Sequence, residues 1–461
     1  MAYYILKSYK LRIEPFRIFQ ALTRQKNCFF LDSSLNKNCL GRYSFLGANP
    51  FHILKTKNEN PFPKLRSLLD KYKIDVPKNS PPFPGGALGY LSYDLGLMLE
   101  KKVESRPKEG LKIPDCFFGF YNTVVVIDHL KQLLYIFSAG FPETNPRLAK
   151  SLCRSNFKKI CKLLSGIEAE RKCGEISGLR DNPGELESDF SKEEYIAAIK
   201  KAKEYIKRGD IYQINLSQRF RVKTGLSDLQ IYKRLREISP SCFSAYFNAG
   251  DYQILSSSPE RFLSLEKDTV TTRPMKGTRP RGENKSQDLA LKKDLLASAK
   301  DKAELMMIVD LERNDLGRVC SYDSVRTESL RELEEYSTVF QTTATVSGRL
   351  HKNKDRVDLL RACFPGGSIT GCPKIRAMEI IEELEPTRRS VYTGCLGYAS
   401  FSGEMDFNIL IRSILKKDNM LYFGVGGGIV ADSDPEEEYQ ETLVKARAMI
   451  AAISGGHEWR K

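Results

Sequence analysis

Apolar positions along this chain switch between alternate and helical spacing, and the switches divide it into strands and helices. Phe29, Phe30 and Leu31 read as a strand that stops at the turn formers Asp32, Ser33 and Ser34. Residues 41–50 (GRYSFLGANP) read as another, with glycine and proline at its ends. A Pro- and Gly-rich stretch at 81–86 precedes GYLSYD at 89–94, and strands at 124–127 and 133–137 flank a turn at 129–131, predicting a hairpin. Residues 1 to about 165 therefore read as α+β. The polar stretch 166–189, with Gly174, Gly178, Pro183 and Gly184, marks a boundary between a region 1–175 and a region 190–455.

The second region opens with a capping box, Ser191 with Glu194, and Ile196, Ile199, Ala202 and Ile206 follow at helical spacing until Gly209. Alternation follows: Tyr212, Ile214, Leu216, Phe220 and Val222 on one face, Gln213, Asn215, Ser217, Arg219 and Arg221 on the other. So polar a second face suits a strand that lines water or a polar site. Residues 289–311 read as mostly helical, ended by Asn314 and Gly317, with Asp301 and Glu304 on one face. GGSITGCPK at 366–374 reads as a glycine-rich loop feeding a helix at 375–384, and 392–398 and 408–415 read as strands. GVGGG at 424–428 reads as a second glycine-rich loop. Pro435 leads into a last helix to about residue 453, which sets Glu438, Glu441 and Lys445 on one face.

Composition narrows the classes. With 461 residues, 41% hydrophobic and 28% charged, the chain can bury a sizeable core, and no apolar run reaches the length of a membrane helix. No secretory signal pattern opens it, and eleven scattered cysteines read as thiols in a reducing cytosol, so a cytoplasmic protein is expected. The net charge of +15 permits nucleic-acid binding, but lysines and arginines are interleaved with 58 acids and form no basic arm or RNA motif. A solvated lysine-rich surface, or attraction of a small anionic substrate, accounts for the charge instead.

Candidate chemistry gathers at 269–281, TVTTRPMKGTRPR. Residues 269–272 read as a strand, after which Pro274 and Gly277 bracket Met275 and Lys276 in a constrained loop. If 261–272 is a hairpin with a three-residue turn near Lys267 and Asp268, Glu260 falls opposite Lys276, and the two share a face. Arg273, Arg279 and Arg281 would lower the lysine's pKa, which a nucleophilic amine needs; taken alone, the run better suits a solvated basic strand end. The pairs Asp301/Glu304 and Glu438/Glu441 suit magnesium, or else ordinary helix surfaces. GVGGG lacks the context of a dinucleotide site, although its backbone N–H groups could hold a carboxylate. Cys39 and Cys395 each sit in a Cys-Leu-Gly turn like that of a glutaminase nucleophile, but no His-Gln follows either.

Five stretches in order carry a resemblance: DIYQINLSQRF from Asp210, SPERF from Ser258, MIVDLERNDLGR from Met307, FPGGSITGCPKIRAME from Phe364, and the glycine run with DSDPEEEYQET after it. From 191 to 453 the chain resembles the chorismate-binding enzymes, which include anthranilate synthase component I, aminodeoxychorismate synthase component I and the isochorismate and salicylate synthases. LDS from Leu31 and GRYSFLG from Gly41 extend the likeness into the first region. The resemblance implies an α+β fold of two antiparallel sheets packed as a sandwich with helices outside. PMKGT resembles the PIKGT of the aminodeoxychorismate synthases rather than the PIAGT of the anthranilate synthases. It therefore implies conversion of chorismate and ammonia to 4-amino-4-deoxychorismate for folate precursors, with ammonia from a separate glutamine amidotransferase subunit and without nucleic acid or membrane. Anthranilate synthase component I is the alternative.

By the same resemblance Lys276 is the nucleophile, Glu260 the general acid, and Glu304 with Glu441 hold Mg²⁺. Thr370, Tyr392, Arg412, Gly426, Gly427, Gly428 and Lys445 match substrate-contacting positions. Ser33, Leu40, Gly41, Arg42, Tyr43, Cys242, Phe243 and Ser244 match a tryptophan site, with Cys242 in place of a proline. Gln341 stands where many relatives carry His, and it cannot serve as an acid or base for pyruvate loss.

Overall fold

Runs such as TVVVID and CFFGFY are apolar at nearly every position, and they form the strands Thr123–Asp128 and Cys116–Tyr121, buried on both faces. Neither could be covered by a single sheet facing water. The computed structural model describes residues 3–35, 40–169, 184–336 and 339–455; Cys39 and residues 170–183, with Gly174, Gly178 and Pro183, lie outside them. The described residues form two antiparallel sheets and eleven helices, the α+β sandwich expected.

Twelve strands make the first sheet, from Tyr4–Lys10 through Phe29–Asp32, Phe243–Asn248, Tyr252–Ser258 and Met420–Ile429 to Gln213–Lys223 and Gly371–Cys372. Ten make the second, from Met275–Pro280 through Val339–Arg349, Thr269–Arg273, Arg261–Glu266, Met405–Ile409 and Cys395–Ser400 to Gly86–Leu91 and His52–Thr56. Each sheet has one seam between early and late strands: Phe29–Asp32 pairs with Phe243–Asn248, and Gly86–Leu91 with Cys395–Ser400. Phe29, Phe45, Tyr90, Phe117, Phe247 and Tyr398 fill the space between the sheets. There the Tyr90 and Tyr252 hydroxyls share a 2.6 Å hydrogen bond, which satisfies two polar atoms in an otherwise aromatic layer. Helices Pro15–Leu22, Asp228–Ile238 and Pro435–Ser454 cover the outer face of the first sheet, Lys374–Leu384 packs on its end strands Gln213–Lys223 and Gly371–Cys372, and Phe62–Lys71 and Ala299–Gly317 cover the second. Among the described residues no helix is long and apolar enough to cross a membrane, and none of the nine described cysteines forms a disulfide.

Several local expectations need correction. The hairpin from Arg261 turns in two residues, Lys267 and Asp268, with Lys267 at φ +58°, so Glu266 pairs with Thr269. A bulge then shifts the register, and Arg261 meets Arg273. Glu260 is therefore not paired with Lys276, which lies in the strand Met275–Pro280 rather than in a loop, opposite Thr342. Residues 289–311 are not one helix: Ser298 ends Lys285–Ala297 and caps Ala299–Gly317 with its side chain. The apparent strand 408–415 is two, Met405–Ile409 in the second sheet and Ser413–Lys417 in the first. Arg412, at φ +48°, lies in the crossing. The strand expected from 392 starts at Cys395. Finally, the 424–428 glycine run is strand interior in Met420–Ile429, since its backbone groups pair with Gln213–Lys223.

Candidate active site

The polar face of Gln213–Lys223 lies beside the glycines. Asn215 pairs with Gly428, Ser217 with Gly426 and Arg219 with Gly424, so these residues share one face of the sheet. That face thus has a polar row next to a row without side chains. The Tyr392 ring occupies the space over Gly424, 2.4 Å from where a Cβ would lie. Over Gly428 the equivalent point is 2.3 Å from Gln213 Nε2 and 3.1 Å from Lys276 Nζ. A side chain here would drive the Gln213 amide aside and press on the Lys276 amine. On the opposite face, a Cβ at Gly427 would lie 3.0 Å from Glu438 Oε2 and 4.0 Å from Glu441 Oε1.

Lys276 reaches this floor from the edge strand of the second sheet. Burial lowers its pKa; Glu304, Glu260 and Glu441 oppose the shift, and Lys445 assists it. The expected contribution of Arg273, Arg279 and Arg281 is a correction: their charges are engaged elsewhere. Arg273 pairs with Glu332 and Glu334, Arg279 with Asp294 and Asp301, and Arg281 with Asp288. The nearby cation that matters is Lys445, whose ammonium pairs with Glu441 at 2.7 Å and donates to the Gly426 carbonyl at 2.8 Å.

Glu260 sits in the turn between Tyr252–Ser258 and Arg261–Glu266, 4% exposed, with its backbone carbonyl accepting from Ile409 N–H. Burial pushes its carboxyl up to about 7, against the Ser368 side chain, Lys276, the Met275 N–H and Arg412. The carboxyl thus reaches Lys276 and Arg412 although the strand register differs from the expected one. Among the described residues Arg412 has no carboxylate ion pair, and burial lowers its pKa while Tyr336 and Glu260 oppose. A half-buried guanidinium without an ion pair suits an incoming carboxylate.

Glu438 and Glu441 border the glycine strand at Gly427, and Glu304 lies within charge range of Glu438. Glu304, from helix Ala299–Gly317, and Glu438 are both raised by burial, whereas Glu441 is lowered, first by Lys445. Lys300 lies 3.6 Å from Glu438. Among the described residues no three His, Cys, Asp or Glu side chains make a metal cage. These oxygen donors still fit magnesium, which usually takes one or two protein carboxylates and completes its shell with water and substrate.

Thr370 is buried, and its hydroxyl donates within its own loop, to Gly366 O at 2.9 Å and Gly367 O at 3.2 Å. Gln341 is buried beside the Lys276 strand and donates to the Thr278 hydroxyl at 3.2 Å. Cys395 is fully buried, and burial pushes its thiol up, which removes it as a nucleophile; Cys39 lies outside the described residues. Ser368, Gln213 and Asn215 also border the site, and no motif in the sequence marks them as site residues. The alternation had marked the last two as a polar face, but only the pairing with a glycine strand reveals what that face meets.

A second cavity of about 580 Å³ opens on the other side of the Arg261 strand. Ser33, Gly41, Arg42, Tyr43, Cys242, Phe243 and Ser244 line it, while Leu40 lines a neighbouring hollow with Arg261 and Thr271. Its two arginines are paired within the protein, Arg42 with Asp128 at 2.7 Å and Arg261 with Asp406 at 2.9 Å.

Residues 26–451 match the family model described as chorismate binding enzyme. The chain is 38% identical to "Anthranilate synthase component 1" of Acetivibrio thermocellus, over 97% of this chain and 94% of that protein. It is 36% identical to "Aminodeoxychorismate synthase component 1" of Bacillus subtilis, over 91% of each. Among solved structures, anthranilate synthase component I from Streptococcus pneumoniae superposes with a TM-score of 0.78 at 32% identity, covering 88% of this chain and 92% of that one.

Proposed function

This chain belongs to the chorismate-binding enzyme family, as a chorismate-utilising enzyme of the anthranilate synthase and aminodeoxychorismate synthase type, and on that premise we propose that it makes 4-amino-4-deoxychorismate from chorismate and ammonia. The observation that supports this branch is the Lys276 amine, set over a floor with no side chain at Gly428. In this reading the neutral amine bonds to C2 of chorismate, the ring double bonds shift, and the C4–O bond breaks as Glu260 gives its proton to the leaving hydroxyl, releasing water. Ammonia then bonds to C4, the double bonds shift back, and the C2–N bond breaks to return Lys276 as a neutral amine. The product ammonium returns a proton to the Glu260 carboxylate, so the cycle closes as chorismate plus ammonia to product plus water.

Arg412 binds a substrate carboxylate in this reading, and Tyr392, Thr370, Lys445 and the backbone from Gly426 to Gly428 shape the pocket. Glu304 and Glu441 would hold Mg²⁺, which when bound neutralises a substrate carboxylate and fixes its orientation. Ammonia comes from a separate glutamine amidotransferase subunit, and the protein works in the cytoplasm. The second cavity is the counterpart of the family's tryptophan site.

A second reading, anthranilate synthase component I, is favoured by the extent of the likeness to that enzyme. The deciding test incubates purified protein with chorismate, Mg²⁺ and ammonium at alkaline pH and identifies products by mass. Aminodeoxychorismate without pyruvate supports the first reading. Fluorescent anthranilate with stoichiometric pyruvate overturns it.

A further inference from the structure

Glu312 is 2% exposed on helix Ala299–Gly317, outside the groups assigned a part above. Its Oε1 accepts from the Gly367 N–H at 3.1 Å, and its Oε2 lies 3.5 Å from the Thr272 hydroxyl. A Cβ on Gly367 would fall 2.7 Å from Leu311 Cδ2 and 3.0 Å from that same Oε1, so the backbone is packed closely against this turn of the helix. The next residue is Ser368, whose side chain hydrogen-bonds Glu260. Lys374 pins the other part of the segment, donating to Pro365 O at 2.8 Å and Cys363 O at 3.1 Å while paired with Asp315. We propose that Glu312 is a positioning residue for the reaction, fixing the Gly367–Ser368 backbone so that the Ser368 hydroxyl meets the Glu260 carboxyl. The inference rests on the reading of Glu260 as the acid.

The charged groups facing Glu312 are Asp315 from its own helix, Lys374 from helix Lys374–Leu384 and Glu260 from its turn. Burial first, then Asp315, pushes the Glu312 carboxyl up to about 8, against Lys374 and the Gly367 N–H. A neutral carboxyl at this point holds the loop without adding a negative charge beside Glu260. Gln can do the same; Ala cannot.

The test follows chorismate consumption across pH in the wild type, Glu312→Gln, Glu312→Ala, Ser368→Ala and the double Ala variant. Loss of the Ser368 bond removes a contact that favours ionised Glu260, so the alkaline limb should move up in pH. Glu312→Gln should stay within about twofold of the wild type. Glu312→Ala should lower kcat about tenfold with KM little changed, a fraction of what a general acid contributes, and should move the limb as Ser368→Ala does, without addition in the double variant. A limb unmoved in Glu312→Ala, or a Gln variant as impaired as Ala, overturns the proposal. If Glu312→Ala does not fold, Glu312→Gln and Ser368→Ala decide it: an impaired Gln variant or an unmoved Ser368→Ala limb overturns it. A wild type that consumes no chorismate, or a limb that survives in Glu260→Gln, refutes the functional reading instead.

Discussion

Lys276 Nζ lies 3.1 Å from the point where a side-chain carbon on Gly428 would begin. The amine and the bare strand are therefore complementary. Gly428→Ala should push aside Gln213 and Lys276, both flexible at their far ends, and so cost little stability. The Lys276 amine need give only a few tenths of an ångström, less than the displacement of about 1 Å that can cost on the order of a hundredfold in rate, so kcat/KM should fall about two- to tenfold. Thermal melts with chorismate kinetics check both halves.

Lys276→Ala should abolish aminodeoxychorismate formation, and so should Lys276→Arg, because guanidinium stays protonated. With ammonia withheld, wild-type protein and chorismate should give a covalent adduct that peptide mass spectrometry places on Lys276. Full turnover in Lys276→Ala would instead mean direct attack by ammonia.

Glu260 gives the pH dependence its sign. Its folded pKa, about 7, stands above the usual glutamate value of 4.5, so the acid form is lost as pH rises through 7, and kcat should fall with it. Stability follows the same direction: the contribution of this group is complete below about pH 4.5 and lost by about pH 7. The shift corresponds to about 3 kcal/mol. Glu260→Gln should thus be inactive yet more stable than the wild type at pH 8, with the gap closing near pH 4.5. Denaturant titrations at the two pH values measure it.

Magnesium should bind weakly to the protein alone and more tightly with chorismate, since the protein offers few converging carboxylates. Glu304→Gln and Glu441→Gln should each remove the chorismate-dependent heat in titration calorimetry while leaving the melting curve nearly intact. Undiminished binding in both variants would relocate the ion.

Tryptophan should occupy the second cavity and raise the melting temperature. Arg42→Ala should weaken that effect, although it also breaks the pair with buried Asp128. Asp128→Asn, which keeps Arg42, separates loss of the ligand contact from loss of the pair. No tryptophan-dependent shift in the wild type would leave the cavity without this ligand.

Much of the fold was legible because its signals are local. The Ser191–Glu194 capping box forms as written, with Ser191 N–H donating to Glu194 at 2.8 Å, and the hairpin across His129 has the expected strands. Position in space was not legible where one residue changes the outcome. A two-residue turn at Lys267 and Asp268, rather than three, shifted Glu260 off the expected partner. The chain crosses between sheets at Arg412 within the run NILIRSIL, whose apolar residues on either side belong to two strands that are both largely buried. The 424–428 glycines read as a loop because their pairing partner lies some two hundred residues earlier.

The seams between early and late strands also bear on synthesis. As the chain leaves the ribosome, Phe29–Asp32 and Gly86–Leu91 emerge long before their partners, Phe243–Asn248 and Cys395–Ser400. Both apolar edges stay open until Phe243–Asn248 emerges, and the second until residue 400 is out, the kind of surface that invites pairing with other chains. The first 175 residues expressed alone should therefore aggregate, whereas supplying the remainder in trans should rescue them by closing both edges at once.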